Sequence, residues 1–431
     1  MTRIRKTAIE FEREPLLRPF GFKGGYLSEL WQAVSLLEAE DGAYGIGVGT
    51  QSVLWSDANV FSSCSESAGN AYMFAISCHA LQLARGLSFD TPLDLLEQIL
   101  PQAWEYGRAV TGRRDLRQTF VLNALVGMDA AAWLLYAREN GFRTFDEMLP
   151  ERFRPILSER HAKLASIPLM TYGVPLEEIS RSVDDGYFFL KIKIGSDPEG
   201  DGDREKMLQW DMRRVEAIHN AIGSRPVKYT DNGKVPYYLD ANGRYDSRER
   251  LERLLEHCDR IGMLEQIAII EEPFAEDFKC DVSGLGVRIA ADESAHCDTD
   301  VAERIALGYS AIALKPMAKT LSMTLRIAEV AHRHGIPMFC ADLTCSPLQV
   351  DWNKNVAARL APLPGLKVGL IETNGHQNYR NWEALNGYHP IPNAPWSKVE
   401  DGCFSLDDEF YRTGGGIFGH SEHYSKLLKH Q

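Results

Sequence analysis

An α/β barrel of eight strands, preceded by an α+β domain, is the fold class this sequence predicts. Two observations carry the prediction. From about Ile167 onward, short apolar runs alternate with helical segments, and eight such runs can be counted. Upstream of that point the pattern differs, with period-2 alternation over the first 60 residues and helical periodicity from Ala71 to Phe142. At 431 residues the chain is long enough for two domains.

In the N-terminal part, WQAVSLLEAEDGAYGIGVGT reads as two strands joined at Glu40-Asp41-Gly42. Gly45, Gly47 and Gly49 lack the G-x-G-x-x-G spacing and no Lys-Ser/Thr follows, so a glycine-rich strand is expected instead of a phosphate loop. AYMFAISCHALQLARGLS, TPLDLLEQILPQAWEYG and QTFVLNALVGMDAAAWLLYAREN place apolar residues three and four apart, as helices do. Residues 1–150 are therefore expected to form a capping α+β domain, and 151–380 the barrel. Residues 381–431, rich in Gly, Trp, Tyr and His, are expected to pack back on the cap and complete it.

The eight candidate barrel strands are 168–174, 187–194, 236–241, 267–272, 287–293, 311–315, 337–341 and 367–372. Helical segments such as DREKMLQWDMRRVEAIHNAIG and TLSMTLRIAEVAHRHG lie between them, the latter stopped by Gly335 and Pro337. An open doubly wound sheet is the alternative, but it would usually have fewer strands. A barrel of this kind, TIM-like, carries its active site at the C-terminal ends of its strands.

Composition narrows the function classes. The chain is 44% hydrophobic and 25% charged, with net charge −13 and no long basic stripe, which argues against a nucleic-acid partner. No run approaches 18 apolar residues, so no membrane partner is expected. The eight cysteines show no C-x-x-C pair, and free thiols in a cytosolic, cytoplasmic protein are the expectation. A homo-oligomer is left open.

Charged residues recur where the apolar runs end: YFFL-Lys191-Ile-Lys193, PYYL-Asp240, IAII-Glu271-Glu272, RIAA-Asp292-Glu293 and AIAL-Lys315. Asp240, Glu271 and Asp292 would end three consecutive strands and converge on one point. Oxygen-only ligands suit Mg2+, or Mn2+, better than zinc. Side chains alternate along a strand, so only one member of Glu271-Glu272 and of Asp292-Glu293 is expected to face the pocket. Lys191 and Lys193, two apart, share a face. Their mutual repulsion is expected to lower the pKa of at least one towards a value useful for a general base. Lys315 comes from across the barrel. Amines on both sides of a cation-bound substrate suit removal of a proton from the carbon next to a carboxylate. A small-molecule carboxylate is thus the expected partner. Racemisation or epimerisation is the leading reaction; β-elimination, as in acid-sugar dehydration, and cycloisomerisation use the same groups. A Schiff-base aldolase and a ligand-binding barrel without catalysis stand further off.

These motifs resemble those of the enolase superfamily. LDANGRY, IIEEPF, AADES and ALKP are similar to its strand-end motifs, and ALVGMDAAAWLLYARENGF looks like its linking helix. Lys-x-Lys on strand two with a lysine on strand six is similar to the muconate lactonizing enzyme subgroup. The resemblance implies that Asp240, Glu271 and Asp292 are metal ligands and that Lys193 and Lys315 are the acid/base pair. Lys191 then supports the substrate carboxylate and tunes Lys193, while Asn242 and Glu293 brace the ligands. It also implies cap loops closing over the substrate, one near 20–25 with Phe22 and Lys23, the other near 50–60 with Trp55. Further contacts are expected from Asp342, Thr344, Glu372 and His376. Strand seven offers Asp342 where the mandelate racemase subgroup has a histidine. Strand eight ends Glu372-Thr373-Asn374 and lacks the Asp-x-Asp that dipeptide epimerases resemble one another in having, which disfavours a free α-ammonium.

Overall fold

The computed structural model of the chain describes residues 1–22 and 25–430. Its N-terminal part is built on an antiparallel sheet of β1 (Thr2–Phe22), β2 (Gly25–Ala39) and β3 (Tyr44–Gln51), with the short strand Ser88–Phe89 against the start of β1. The β1–β2 register shifts between Pro15 and Phe20, where Pro15 and Pro19 cannot donate to the ladder. Two short helices, Val53–Ser56 and Ala58–Ser63, and three long ones, Glu66–Ala84, Pro92–Thr111 and Gln118–Glu139, follow β3.

The third long helix links cap to barrel and lies directly on β3. A Cβ at Gly45 would collide with the Ala131 carbonyl, and one at Gly47 with that of Gly127. The three glycines therefore serve close approach of two backbones, in keeping with the absence of phosphate-loop spacing. By length and apolarity this helix could cross a membrane, but 89% of its apolar window is buried inside the protein. Asn123 and Asp129 interrupt it, so no uninterrupted apolar run marks it in the sequence.

Eight parallel strands form the barrel among the described residues. After strand one come Leu190–Lys193, Tyr237–Asp240, Ile267–Glu271, Ile289–Ala291, Ala311–Leu314, Met338–Cys340 and Gly369–Glu372. Strand one differs from expectation. It begins at Lys163 and consists of Lys163–Ile167 and Leu169–Met170, while 171–174 turn away. Pro168, lacking an N–H, divides the two pieces. The first piece pairs with strand eight and the second with strand two, so the sheet closes on itself.

Capped helices space the strands apart. Asp203 accepts from the Glu205 and Lys206 N–H groups to start Arg204–Ile222, and Ser247 starts Arg248–Arg260. The last helix before strand seven, Leu321–Arg333, ends at Gly335, whose φ of +66° suits glycine. Strand eight is followed only by the short turns Gly375–Asn378 and Trp382–Gly387.

The C-terminal segment touches both the barrel and the cap. Its hairpin, Val399–Glu400 with Cys403–Ser405, pairs with Lys163–Ala165 of the barrel. Asn355 donates to the Gly414 carbonyl, and Trp396 Nε1 donates to Asp351 at 3.0 Å, both across to the barrel helix Pro347–Ala357. His423, 2.8 Å from Glu12, His420, 3.5 Å from the Tyr44 hydroxyl, and Asn381, donating to Glu14, reach the cap sheet. All eight cysteines are free thiols.

Candidate active site

Cross-strand register puts the strand-end charges at one level. Lys193 lies opposite Asp240, and Asp240 opposite Glu271. Each caps a run whose other side chains are buried, so the charges gather at the C-terminal mouth with no solvent-facing alternative. Lys191, Lys193, Asp240, Glu271, Asp292 and Lys315 are all at most 5% exposed. They line one cavity of about 40 Å³, closed on the cap side by Phe20, Ser52 and Trp55.

Two charged groups make up the mouth. In the first, Lys191 Nζ lies 3.0 Å from Asp240, 2.9 Å from Glu271 and 3.1 Å from Glu372. Lys193 Nζ donates to Asp240 Oδ2 and to Asn242 Oδ1, each at 2.5 Å, and Asn242 Nδ2 donates onward to Glu293 at 2.9 Å. In the second, Lys315 Nζ is 2.5 Å from Asp292 Oδ2 and 4.7 Å from the Trp55 ring centre. Strands two and six stand half a barrel turn apart, so Lys193 and Lys315 face the carboxylates from opposite sides.

Charge balance here departs from the sequence expectation. Burial alone would lower the Lys191 ammonium, but Asp240, Glu271 and Glu372 outweigh it and raise its pKa well above the ordinary value. Lysine–lysine repulsion does not dominate at Lys191, because three carboxylates lie 2.9–3.1 Å from its ammonium. Lys315 is also raised: burial and Lys191 act downwards, and Asp292 and Glu271 overcome them. Burial pushes Glu271 up to about 7 against the pull of Lys191. Asp240 is held below its ordinary value because Lys191 and Lys193 overcome its burial.

The acidic pairs behave differently from simple alternation. Glu271 faces the cavity and accepts from the Tyr238 hydroxyl. Glu272, at φ +41°, turns beneath strand five, where its Oε1 accepts from the N–H groups of Asp292 at 2.7 Å and Ser294 at 3.0 Å. A left-handed backbone at a non-glycine residue costs about 1 kcal/mol or more, and these hydrogen bonds hold it. Asp292 and Glu293, in contrast, both line the cavity. The strand has ended at Ala291 and the chain turns, Ala295 N–H bonding to the Asp292 carbonyl, so period-2 alternation no longer applies.

Carboxylate oxygens of Glu271, Asp292 and Glu293 lie within 4.8 Å of one another. Asp240 lies beside that set, paired with Lys191 and Lys193, and Glu293 falls within it. Neither Asp292 oxygen accepts a hydrogen bond of good geometry, though both lie near ammonium groups.

Of the expected substrate contacts, Trp55, Asp342, Thr344 and Glu372 line the cavity. Asp342 accepts from the Cys345 and Asn374 N–H groups, and burial beside Glu372 raises its pKa. Lys23 and the side chain of Phe22 lie outside the described residues. His376 is not brought to the cavity. It sits half-buried beyond strand eight, beside Trp382, in a separate cleft of about 340 Å³ that Asp351, Lys354 and Phe404 also line. Burial lowers its pKa to about 4.

Several residues escaped the sequence reading. Tyr238 shares a face with Asp240 two residues later, a signal that alternation carries. Lys319, four residues after Lys315, is wholly buried and donates to the Asp292 and Ala295 carbonyls. Asn374 donates to Glu372 at 3.3 Å.

Comparison with known proteins agrees with this architecture. The family model described as "Enolase C-terminal domain-like" matches residues 176–409. An enolase superfamily member from Listeria innocua is 20% identical, with a TM-score of 0.66, over 100% of this chain and 97% of that one. A dipeptide epimerase from Enterococcus faecalis, complexed with Mg and L-Leu-L-Tyr, is 16% identical over 88% of this chain and 92% of its own, TM-score 0.63. An L-talarate dehydratase from Polaromonas sp., complexed with Mg and L-glucarate, is 18% identical over 94% and 93%, TM-score 0.64. No curated protein matches the sequence. With more than half its length matched by that family model and a barrel of the same build, the chain belongs to the enolase superfamily.

Proposed function

We propose that the chain is an enzyme that removes the α-proton of a small carboxylate with the help of Mg2+, and that the overall reaction is a racemisation or epimerisation. The observation that carries this reading is the pair of lysines on opposite sides of the cavity mouth, Lys193 on strand two and Lys315 on strand six, with carboxylates between them.

The residues present fit a divalent cation. Glu271, Asp292 and Glu293 offer clustered oxygens only, and Asp292 has oxygens without well-formed hydrogen bonds. Asp240 stands beside them on strand three as a fourth donor. Bound there, the cation would supply positive charge to the substrate carboxylate, where negative charge gathers as the α-proton leaves, and would favour neutral amines nearby.

The chain's own groups do the rest. One lysine takes the proton from one face of the α-carbon, and the other returns a proton to the opposite face. Lys191, protonated and held by three carboxylates, supplies a fixed positive charge to the substrate carboxylate. Trp55 and Phe20 cover the mouth from the cap and exclude water. Thr344, Glu372 and Asp342 form the wall that meets the rest of the substrate.

Epimerases and a dehydratase among the structural neighbours support proton abstraction as the shared step. Dehydration of an acid sugar is the second reading. It is favoured by the polar wall of Asp342, Glu372 and Asn374, which suits hydroxyl groups better than an apolar side chain.

The test is incubation with a library of acids and Mg2+ in D2O, followed by proton NMR. Loss of the α-proton signal without net turnover is the expected result. Lys193→Ala and Lys315→Ala should each abolish exchange of one stereoisomer. Normal exchange in both variants would refute the assignment of the bases, and a product one water lighter would select dehydration.

A further inference from the structure

Lys319 takes no part in the chemistry proposed above, yet it is the most enclosed cation at the site. Its ammonium donates to the backbone carbonyls of Asp292 at 2.6 Å and Ala295 at 2.9 Å, and lies 3.4 Å from Asp292 Oδ1. Two of its three protons go to the backbone carbonyls, and the Asp292 carboxylate lies beside it as counter-ion. Lys319 lies outside the cavity lining and so does not meet a substrate there.

All three oxygens belong to one corner, where the chain leaves strand five and presents Asp292. Glu272 grips the same corner from the other side through the Asp292 and Ser294 N–H groups. The Asp292 carboxylate thus meets one lysine per oxygen, Lys315 at Oδ2 and Lys319 at Oδ1. Lys315 lines the cavity; Lys319 does not.

We propose that Lys319 is a positioning residue: it sets the orientation of Asp292 and, through it, the divalent-cation site, and it leaves Lys315 free to act because Asp292 has a second counter-ion. The inference rests on Asp292 being a ligand of the cation. Two effects of Lys319 oppose each other. Its charge repels a cation. Its hydrogen bonds to the Asp292 and Ala295 carbonyls hold the backbone corner that presents the carboxylate, and groups that orient a metal ligand typically contribute about 10–100-fold to metal affinity. Orientation is the larger effect, and removing the side chain separates the two because their signs differ.

The experiment is calorimetric titration of Mg2+ into the wild-type chain and into Lys319→Met, Lys319→Arg, Lys315→Met and Asp292→Asn, each checked for folding by circular dichroism. Lys319→Met is expected to weaken Mg2+ binding by about 10-fold or more. A side chain that only stabilised the fold would lower the unfolding temperature without changing the affinity of the folded protein. Lys319→Arg keeps the charge but cannot place its planar fork on the same three oxygens, so it too should bind Mg2+ more weakly. Lys315→Met, which removes a charge from Asp292 Oδ2 but leaves the backbone corner held by Lys319, should bind Mg2+ at least as well as wild type. Unchanged or tighter binding in Lys319→Met overturns the proposal, as does an equal loss in Lys315→Met. If Lys319→Met does not fold, Lys319→Arg decides, and unchanged affinity there overturns it. Failure of the wild type to bind Mg2+, or undiminished binding by Asp292→Asn, overturns the metal reading and the proposal together. Loss in Asp292→Asn without loss at Lys319 overturns the proposal alone.

Discussion

Replacing Asp129 with asparagine should make the protein more stable at neutral and alkaline pH, and the gain should vanish in acid. Asp129 lies on the linking helix, buried, and accepts from the Ser322 N–H at 3.1 Å and the Ser322 hydroxyl at 2.5 Å. It thereby caps the helix that follows Lys315 and Lys319, tying the cap domain to the segment that delivers both lysines. No basic side chain pairs with it among the described residues, and burial pushes its carboxyl up from 3.8 to about 7. The folded chain therefore holds this proton more tightly than the unfolded chain. Between about pH 4 and pH 7 the unfolded form ionises first, so stability falls as pH rises through that window and levels off above it. A displacement from 3.8 to about 7 corresponds to about 4 kcal/mol, at about 1.4 kcal/mol per pH unit. The Asp129→Asn side chain would carry no such cost, although its neutral hydrogen bonds to Ser322 are weaker by about 1 kcal/mol. The net expectation is a gain of about 3 kcal/mol above pH 7. Urea unfolding of both proteins from pH 4 to pH 9 measures it, since the other titrating groups cancel in the difference. A variant that is less stable by the same amount at every pH would refute the reasoning, because the carboxylate would then be ionised and well satisfied in the fold.

Two further substitutions probe the cap. Gly47→Ala puts a methyl group into the Gly127 carbonyl and should lower stability by about 1–3 kcal/mol, read as a lower urea midpoint. α-Proton exchange should persist in the folded fraction, since Gly47 does not line the cavity; an unchanged midpoint would mean that helix and strand can part freely. Trp55→Ala removes a buried indole from above Lys315 and should cost about 3–5 kcal/mol. Trp55→Phe should retain most of that stability and most of the exchange. Equal losses in the two variants would show that the aromatic face over Lys315 is not what matters.

Short apolar runs ending in charge are a one-dimensional property, and they made the barrel and much of its mouth legible. Lys193, Asp240 and Glu271 end ladders whose alternation is dictated by backbone geometry, and the structure sets them level. Three glycines without phosphate-loop spacing were enough to expect a strand, though not the helix lying on it. Strand one was misplaced because Pro168 looked like a beginning, whereas it interrupts a strand that starts at Lys163.

Tertiary structure alone decided what lies past the last residue of each strand. Once the chain leaves the ladder, side-chain direction follows turn dihedrals, which is why Glu293 enters the cavity and Glu272 turns beneath it. His376 was carried away by the turn after strand eight for the same reason. Proton affinity at Lys191 is set by Asp240, Glu271 and Glu372, residues distant in sequence that only barrel closure brings within about 3 Å, a range at which Coulomb attraction overcomes burial. Local pattern determines which way a side chain points while hydrogen-bonded strands constrain it. The company a charge keeps depends on how the strands close, and that company determines its chemistry.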